Sequence, residues 1–577
     1  MFLSNVKPLP RALILLVGVG AIIGGAKWAI DNTKLGAYVA PKPTVAIAVP
    51  DKIDLPTTPA EAIAMSHGAV INAPAVAPQE LRVKVLAWNA VAGAAYAKSA
   101  GLYKAKGLTV DIKREDDYSK MTADLASFAK DPAQGVHFVV IMGDGYPAFS
   151  IGANAALKPF GSHVAGIAGI GYSRGEDKCI IADGVEPRGA LVKGVLGDGD
   201  INICVKWAAD NGIPVNADTK IYDPNALNLT NAKDFVEADQ AFIASMQKNF
   251  QGGACEDRTV AGTGKMQKVC VTGTATWTPG DTNVFNQFKA GGKSIRVLAS
   301  TKDYAWQMSA LVIGNKEWMS KHRDVVKAFL AATFEGGEKV RTDNAALMVA
   351  AAEEAKIFGE QDASYWASLF RGTVEAGPNG KPIALGGSTT NSLADSAYLF
   401  GLNGADNLFK KVYTVYGKIA VQYFPDIMPG GLQKYEDVID TSYMQELLTA
   451  TGDAGKAVTP TFNGASTVTV ASKSVSIEFE TGKATFTPKA MAALNDVLDQ
   501  AAVTSLSLQI NGHTDTVGSP TSNLELSKAR AEAVKKFLMT NAPTSFPAER
   551  VTTRGYGDTM PIGTNAQNRR VEILLRK

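Results

Sequence analysis

Hydrophobic and polar positions divide the chain into stretches of different period. Ala12–Ala26 (ALILLVGVGAIIGGA) is an unbroken apolar run, Lys27 interrupts it, and Trp28, Ala29 and Ile30 follow. With Lys27 snorkelling, 12–30 gives about 19 residues, close to the roughly 20 that span a bilayer. Lys7 and Arg11 precede the run, which predicts an N-terminal transmembrane helix in the inner membrane and a periplasmic remainder. A cleaved signal peptide with Gly24-Gly25-Ala26 as its small-residue site is the rival, leaving a soluble periplasmic chain; the uncleaved anchor is favoured. No Cys adjoins the run, so a lipoprotein anchor is excluded. Residues 31–80 are rich in Ala, Pro and Val with little periodicity and read as a tether, with a short helix around Ala60–Met65.

Residues 81–450 alternate strand-like and helical patterns, as an α/β fold requires. Val83, Val85 and Ala87 alternate in LRVKVLAWN, a helix passes through Ala94–Ala100, and LTVDIKRE is the next strand. HFVVIMGDG, SIRVLAS and SALVIGN continue the sheet, and Asp324–Phe334 forms an amphipathic helix with Val325, Phe329 and Leu330 on one face. Residues 451–472 are Gly-, Thr- and Ser-rich and read as a linker. Residues 473–577 form an α+β module. VSIEF is its first strand, Thr487 caps a helix with Pro488 at its first position, and Met491, Leu494 and Leu498 line that helix. Leu506, Leu508 and Ile510 mark a strand that runs into the polar turn GHTDTVGSPTSN. Ser527 then N-caps a helix with Ala533, Val534, Phe537 and Leu538 inside, which places Arg530 in its first turn. Arg550–Gly557 and Arg570–Leu575 supply the last strands.

Around that turn the sequence carries Thr514-Asp515, Gly518, Asn523, Leu526-Ser527, Arg530-Ala531 and Val534, then Gly555-Tyr556-Gly557 and Asn568-Arg569-Arg570-Val571-Glu572-Ile573. This set resembles the OmpA C-terminal domain, a peptidoglycan-binding module, over about residues 473–577. The resemblance implies that Asp515 binds the amino group of diaminopimelate in the stem peptide and Arg530 its carboxylate. Asn523, Thr514, Arg569 and Arg570 are the supporting residues. The segment PIGTNAQN is shorter than the family usually has. The alternative role for Asp515 and Arg530 is to pair with each other and brace the turn.

Within 81–450, AGAAYAKSAGLYKAKGLTVDI, VVIMGDGYPAF and ALVIGNKEWMSKHRDVVKAFL resemble type II periplasmic substrate-binding proteins of ABC transporters, in the nitrate/sulfonate/taurine-like branch. The resemblance implies two lobes joined by a hinge, with a small-molecule ligand in the cleft and an ABC permease as a partner. The second lobe is expected over about 185–296, with GGACEDRTVAGTGKMQKVCV as an inserted hairpin. Ligands of open α/β sheets meet loops at strand C-termini. That rule selects Trp88 and Asn89, Asp144 and Tyr146, Asp198 and Asp200, and Trp277 and Asp281. Carboxylates beside aromatic faces suit a cation such as an amine. Asp in a Gly-rich loop is also a common turn former or N-cap.

Length and charge narrow the function. At 577 residues the chain exceeds one core, and a net charge of +2 without a basic tract excludes nucleic acid as the partner. Cys179, Cys204, Cys255 and Cys270 lack metal-binding spacing, so no metal is expected; they form two disulfides, Cys255–Cys270 first among the pairings, or remain buried thiols. No nucleophile, metalloprotease or phosphate-loop motif occurs, so neither enzyme activity nor a cofactor is expected. The fold class read from the sequence is α/β: a two-lobed type II binding-protein domain plus an α+β OmpA-like domain, behind an N-terminal transmembrane helix. The function it implies is a wall-attached envelope protein that binds a small solute. The alternative is an envelope or virion scaffold whose middle domain docks a protein.

Overall fold

The computed structural model describes residues 71–577 apart from 278–279, 460–461, 463–465, 467–468, 476, 478 and 480–481. The expected membrane anchor or signal segment, the tether up to residue 70 and the helix at 60–65 lie outside the described residues. Among the described residues no helix is long and apolar enough to cross a membrane.

Two six-stranded sheets form the body, one in each lobe. In the first, the spatial order is Leu108–Arg114, Gln79–Val85, Phe138–Met142, Ser309–Asn315, Val164–Ser173 and Ser388–Thr390. The first three strands are parallel, and Ser309–Asn315 runs antiparallel between its two neighbours. Phe138–Met142 and Ser309–Asn315 are buried at every position, as befits central strands covered on both faces. The second sheet runs Ile295–Ser300, Lys178–Ala182, Gly273–Thr276, Leu191–Gly194, Leu227–Asn231 and Val215–Asn216. The second lobe therefore starts before residue 185 and ends after 296, because both hinge-side strands belong to its sheet. The chain crosses between lobes at 174–177 and 301–308. It crosses a third time through the hairpin Thr373–Ala376/Pro382–Leu385, whose Ile383 and Leu385 enter the second lobe's core before Ser388–Thr390 rejoins the first sheet.

Local sequence explains the closest contacts. The expected helix at 324–334 extends over Arg323–Thr342, with Val325, Phe329 and Leu330 buried. It lies against the helix Ala92–Ser99, where a Cβ on Gly93 would sit 2.8 Å from the Gly337 Cα. The run AGAAYAKS is small because two helix backbones meet there. The inserted hairpin is present as Cys255–Val260 and Met266–Cys270, with Cys255 and Cys270 as register partners joined by a disulfide. A second disulfide, Cys179–Cys204, ties the second sheet to the helix Gly199–Asp210.

The C-terminal module is a four-stranded sheet in the order Thr469–Val475, Val571–Arg576, Ser507–Gly512 and Val551–Gly555, with helices Ala490–Ala502 and Pro520–Asn541. Its first strand lies largely in the stretch read as a linker, where β-branched residues outweigh the turn formers. The helix after Thr487 begins at Ala490, whose amide donates to the Thr487 carbonyl, and Met491 is 42% exposed, outside the buried face of Leu494, Val497 and Leu498. The long helix is capped by Ser519, not Ser527: Ser519 Oγ accepts from the Ser522 amide at 3.1 Å and Pro520 takes the first position. Arg530 therefore lies mid-helix rather than in the first turn. Val534 and Leu538 are buried, while Ala533 and Phe537 are half-buried. The module docks on the second inter-lobe crossing through Ser505, whose amide and hydroxyl donate to the Asp303 and Lys302 carbonyls at 3.0 and 2.8 Å. Asp406 accepts from the Ser545 amide at 2.8 Å on the same face of contact.

Candidate functional site

In the C-terminal module the strand Ser507–Gly512 ends flush against the long helix. A Cβ on Gly512 would meet the Ser527 carbonyl oxygen at 2.0 Å, so only glycine fits there. The chain then turns, held by the His513 amide on the Arg570 carbonyl and the Thr514 amide on the Gly557 carbonyl, at 3.0 and 2.8 Å. This fixes Asp515. Its Oδ1 accepts from the Val517 amide at 3.1 Å, and its Oδ2 accepts from Arg569 Nη1 at 2.7 Å. Asn523 Nδ2 donates to the Asp515 carbonyl at 3.1 Å. Arg530 reaches toward the same turn from the helix; its guanidinium lies 4.9 Å from the Phe479 ring centre and donates to the Lys483 carbonyl.

Burial raises the Asp515 carboxyl, but the Arg569 hydrogen bond, the Val517 amide and the charges of Arg569 and Arg530 outweigh it and hold it below the ordinary value. Arg530 is lowered, by burial first and then by Arg569, against the pull of Asp515. Asp515, Asn523, Arg530 and Arg569 thus converge. The ion pair that Asp515 makes is with Arg569, which the braced-turn alternative did not include. Thr514 and Arg570 serve the loop: Thr514 through its amide, Arg570 by donating to the Met560 carbonyl at 3.3 Å. His513 stacks flat on Tyr556 with ring centres 5.3 Å apart.

The cleft between the lobes forms a second candidate site. The lobes touch across it: Trp277 Nε1 donates to the Ala87 carbonyl at 3.0 Å, and the Tyr118 hydroxyl donates to Asp198 Oδ1 at 2.7 Å. Asp144 Oδ2 accepts from Gln307 Nε2 at 2.7 Å, while its Oδ1 is buried with no hydrogen-bond donor among the described residues. Asp177 and Asp200 are likewise buried, with no donor among the described residues beyond the Ser173 hydroxyl and the proton the two carboxyls can share, and Asp198 Oδ2 has none. Asp198 and Asp200 sit at the N-terminus of the helix Gly199–Asp210, which favours negative charge there. That field does not neutralise four carboxylates. Burial pushes Asp144 well above the ordinary carboxylate range and Asp198 up to about 6. Asp177 and Asp200 face each other, and burial raises both, Asp200 the more.

Of the eight residues selected from sequence, Asp144, Asp198 and Asp200 meet in this cleft. Trp277 lies at its mouth, packed on Phe235 and lining a pocket of about 470 Å³ in which Glu115, Asp116, Asp117 and Asp234 are ion-paired with Arg114, Lys120 and Lys233. Trp88 is fully buried, its Nε1 without a partner among the described residues, and Asn89 donates to Glu176 Oε1 at 3.1 Å. Two residues are placed elsewhere. The Tyr146 hydroxyl donates to the Val438 carbonyl and accepts from the Gly166 amide, at 2.6 and 3.0 Å, pinning its helix to the first sheet. Asp281 forms a buried ion pair with Lys178 and accepts from the Gly386 amide, bracing the first crossing against the third. Tyr118, Asp177 and Gln307 were missed. The signal for Asp177 was legible: Glu176-Asp177 directly precede the wholly buried strand Lys178–Ala182.

Comparison with known proteins settles the C-terminal module. Residues 478–573 match the OmpA family. Outer membrane protein A of Bordetella avium is 35% identical over 102 residues, 16% of this chain and 51% of that protein. An 81-residue stretch is 42% identical to the photosystem I P700 chlorophyll a apoprotein A2 of Gloeobacter violaceus, covering 12% of this chain and 9% of that one. This chain spans about half or less of the length of these curated relatives. Among solved structures, the periplasmic nitrate-binding protein of Synechocystis PCC 6803 aligns over 66% of this chain and 90% of its own, at 11% identity and a TM-score of 0.44.

Proposed function

We propose that this chain is a cell-envelope protein that grips peptidoglycan through its OmpA module and holds a small cationic solute between the lobes of its body. The observation that carries the reading is the OmpA match together with the convergence of Asp515, Arg569 and Arg530 at one turn. A carboxylate and guanidinium groups on rigid elements complement the ammonium and carboxylate of a zwitterionic diaminopimelate centre. Arg569 orients Asp515 for the ammonium, and Arg530 takes the carboxylate.

For the cleft, four buried carboxyls with no Lys or Arg ion-paired to them among the described residues suit a ligand that brings positive charge and donors. Burial favours the protonated form of these carboxyls, and a cationic solute would stabilise their ionised form in its place. The apolar run Ala12–Ile30 would hold the chain at the inner membrane while the module engages the wall. Sedimentation with purified sacculi tests the grip. Wild type should pellet, and Asp515→Ala and Arg530→Ala should each stay largely in the supernatant while remaining folded. Pelleting of both variants at the wild-type level would remove these residues from the site.

A further inference from the structure

Behind the hinge, away from the acidic cleft, a groove of about 1100 Å³ runs along the edge strand Ile295–Ser300. Its walls come from all three inter-lobe crossings, from the hairpin Thr373–Leu385 and from the ends of the C-terminal module at Thr469 and Lys577. Eight Lys and Arg side chains line it against three carboxylates. Three of the eight are ion-paired, Lys178 with Asp281, Lys381 with Asp183 at 3.8 Å and Lys577 with Asp303 at 3.3 Å, and the cations still outnumber the lining carboxylates.

Arg174 is the most informative member. Its guanidinium lies over the Tyr172 ring at 4.2 Å and the Trp306 ring at 5.2 Å. Its Nη1 is buried and has no hydrogen-bond partner among the described residues. Burial lowers it to about 10, so it keeps its charge at neutral pH. Arg296 donates through Nη2 to the Val185 carbonyl at 2.8 Å, and its buried Nε has no partner among the described residues. Lys302 and Lys381 stand exposed at the rim. Aromatic rings hold the Arg174 plane, and a planar guanidinium with open donors is suited to oxyanions.

We infer that this groove is a second binding site, for a solute carrying two or more oxyanion groups, held by Arg174 and Arg296 at its floor and Lys302 and Lys381 at its rim. It is separate from the cleft in place and opposite to it in charge. An occupant would bridge the crossings of the hinge and the C-terminal module, so its binding would stabilise the chain as a whole.

Titration calorimetry of the full chain in mild detergent, with inorganic pyrophosphate and with citrate as probes, tests this. Saturable one-site binding to at least one probe is expected, weakening as salt is raised. Arg174→Gln with Arg296→Gln should weaken it by about tenfold or more, because each removes a charge-assisted hydrogen bond. Asp200→Asn, in the cleft, should leave it unchanged. If loss of the Arg174 stack unfolds the chain, Lys302→Gln with Lys381→Gln reads the same site from its solvent-facing rim and should weaken binding several-fold. No saturable heat with either probe, or wild-type affinity in the folded variants, would overturn the assignment.

Discussion

Replacing Asp200 by Asn should stabilise the unliganded protein while weakening its hold on a cation. Asp200 is fully buried, its oxygens find no N–H donor among the described residues, and it faces Asp177, with Asp144 and Asp198 nearby. The neighbouring base, Lys178, is engaged by Asp281. Asp198, which has the Tyr118 hydroxyl as a donor, is still raised from 3.8 to about 6. A shift of about two units corresponds to roughly 3 kcal/mol at pH values above both. Burial and the charges of Asp177, Asp198 and Asp144 raise Asp200 as well. The Asn amide carries no ionisation cost and can donate to Asp177, and satisfying a buried polar group in this way is worth about 1–3 kcal/mol, which is the gain expected at pH 8.

The pH dependence has a definite sign. A carboxyl whose pKa is raised by folding keeps its proton in the folded state after the unfolded chain has lost it, so stability falls as pH rises through that interval. The advantage of Asp200→Asn should therefore be about zero near pH 4 and grow toward pH 8, where the melting temperature should rise by several degrees. Thermal unfolding of wild type and variant from pH 4 to 8, without ligand, measures it. A lower melting temperature for the variant at pH 8, or a difference independent of pH, would refute the claim that this carboxylate is held without compensation.

Three further outcomes follow from the geometry. Arg550 is buried and donates to the carbonyls of Ala501, Thr504, Ser545 and Leu506, so Arg550→Lys, which cannot reach four acceptors, should destabilise the C-terminal module by about 2–4 kcal/mol in denaturant titrations. The Cys255–Cys270 disulfide spans 15 residues, and Cys255→Ser with Cys270→Ser should cost up to about 3 kcal/mol, read as faster proteolysis within 255–270. Gly512→Val would drive a side chain into the Ser527 carbonyl and should lower the melting temperature of the module and its wall binding together.

The two-lobed α/β body and the OmpA module were legible because their signals are local. Val83 and Val85 alternate on a half-buried strand, and the TD, LSxxRA and NRRVEI motifs sit at fixed offsets around one turn. Cleft residues on loops after strands, Asp144, Asp198 and Asp200, could be placed by rule. What the sequence left obscure depends on distant partners. The third crossing is a short hairpin with Val374 71% exposed and a weak apolar pattern. Tyr146 and Asp281 look like ligand residues until Val438, Gly166 and Lys178, far away in sequence, are seen to satisfy them. The helix start at Pro520 was misplaced because the LSxxRA motif drew the N-cap to Ser527, although Ser519-Pro520 is the stronger start signal.

The central claim is that one chain holds a small cation at the wall. The most direct measurement is co-sedimentation of the full chain and a radiolabelled amine with purified sacculi. Amine should appear in the pellet in proportion to bound protein. Asp515→Ala should remove both protein and amine from the pellet, and Asp200→Asn should leave the protein and remove the amine. Protein that stays in the supernatant, or pelleted wild type that carries none of a panel of small amines, would contradict the account.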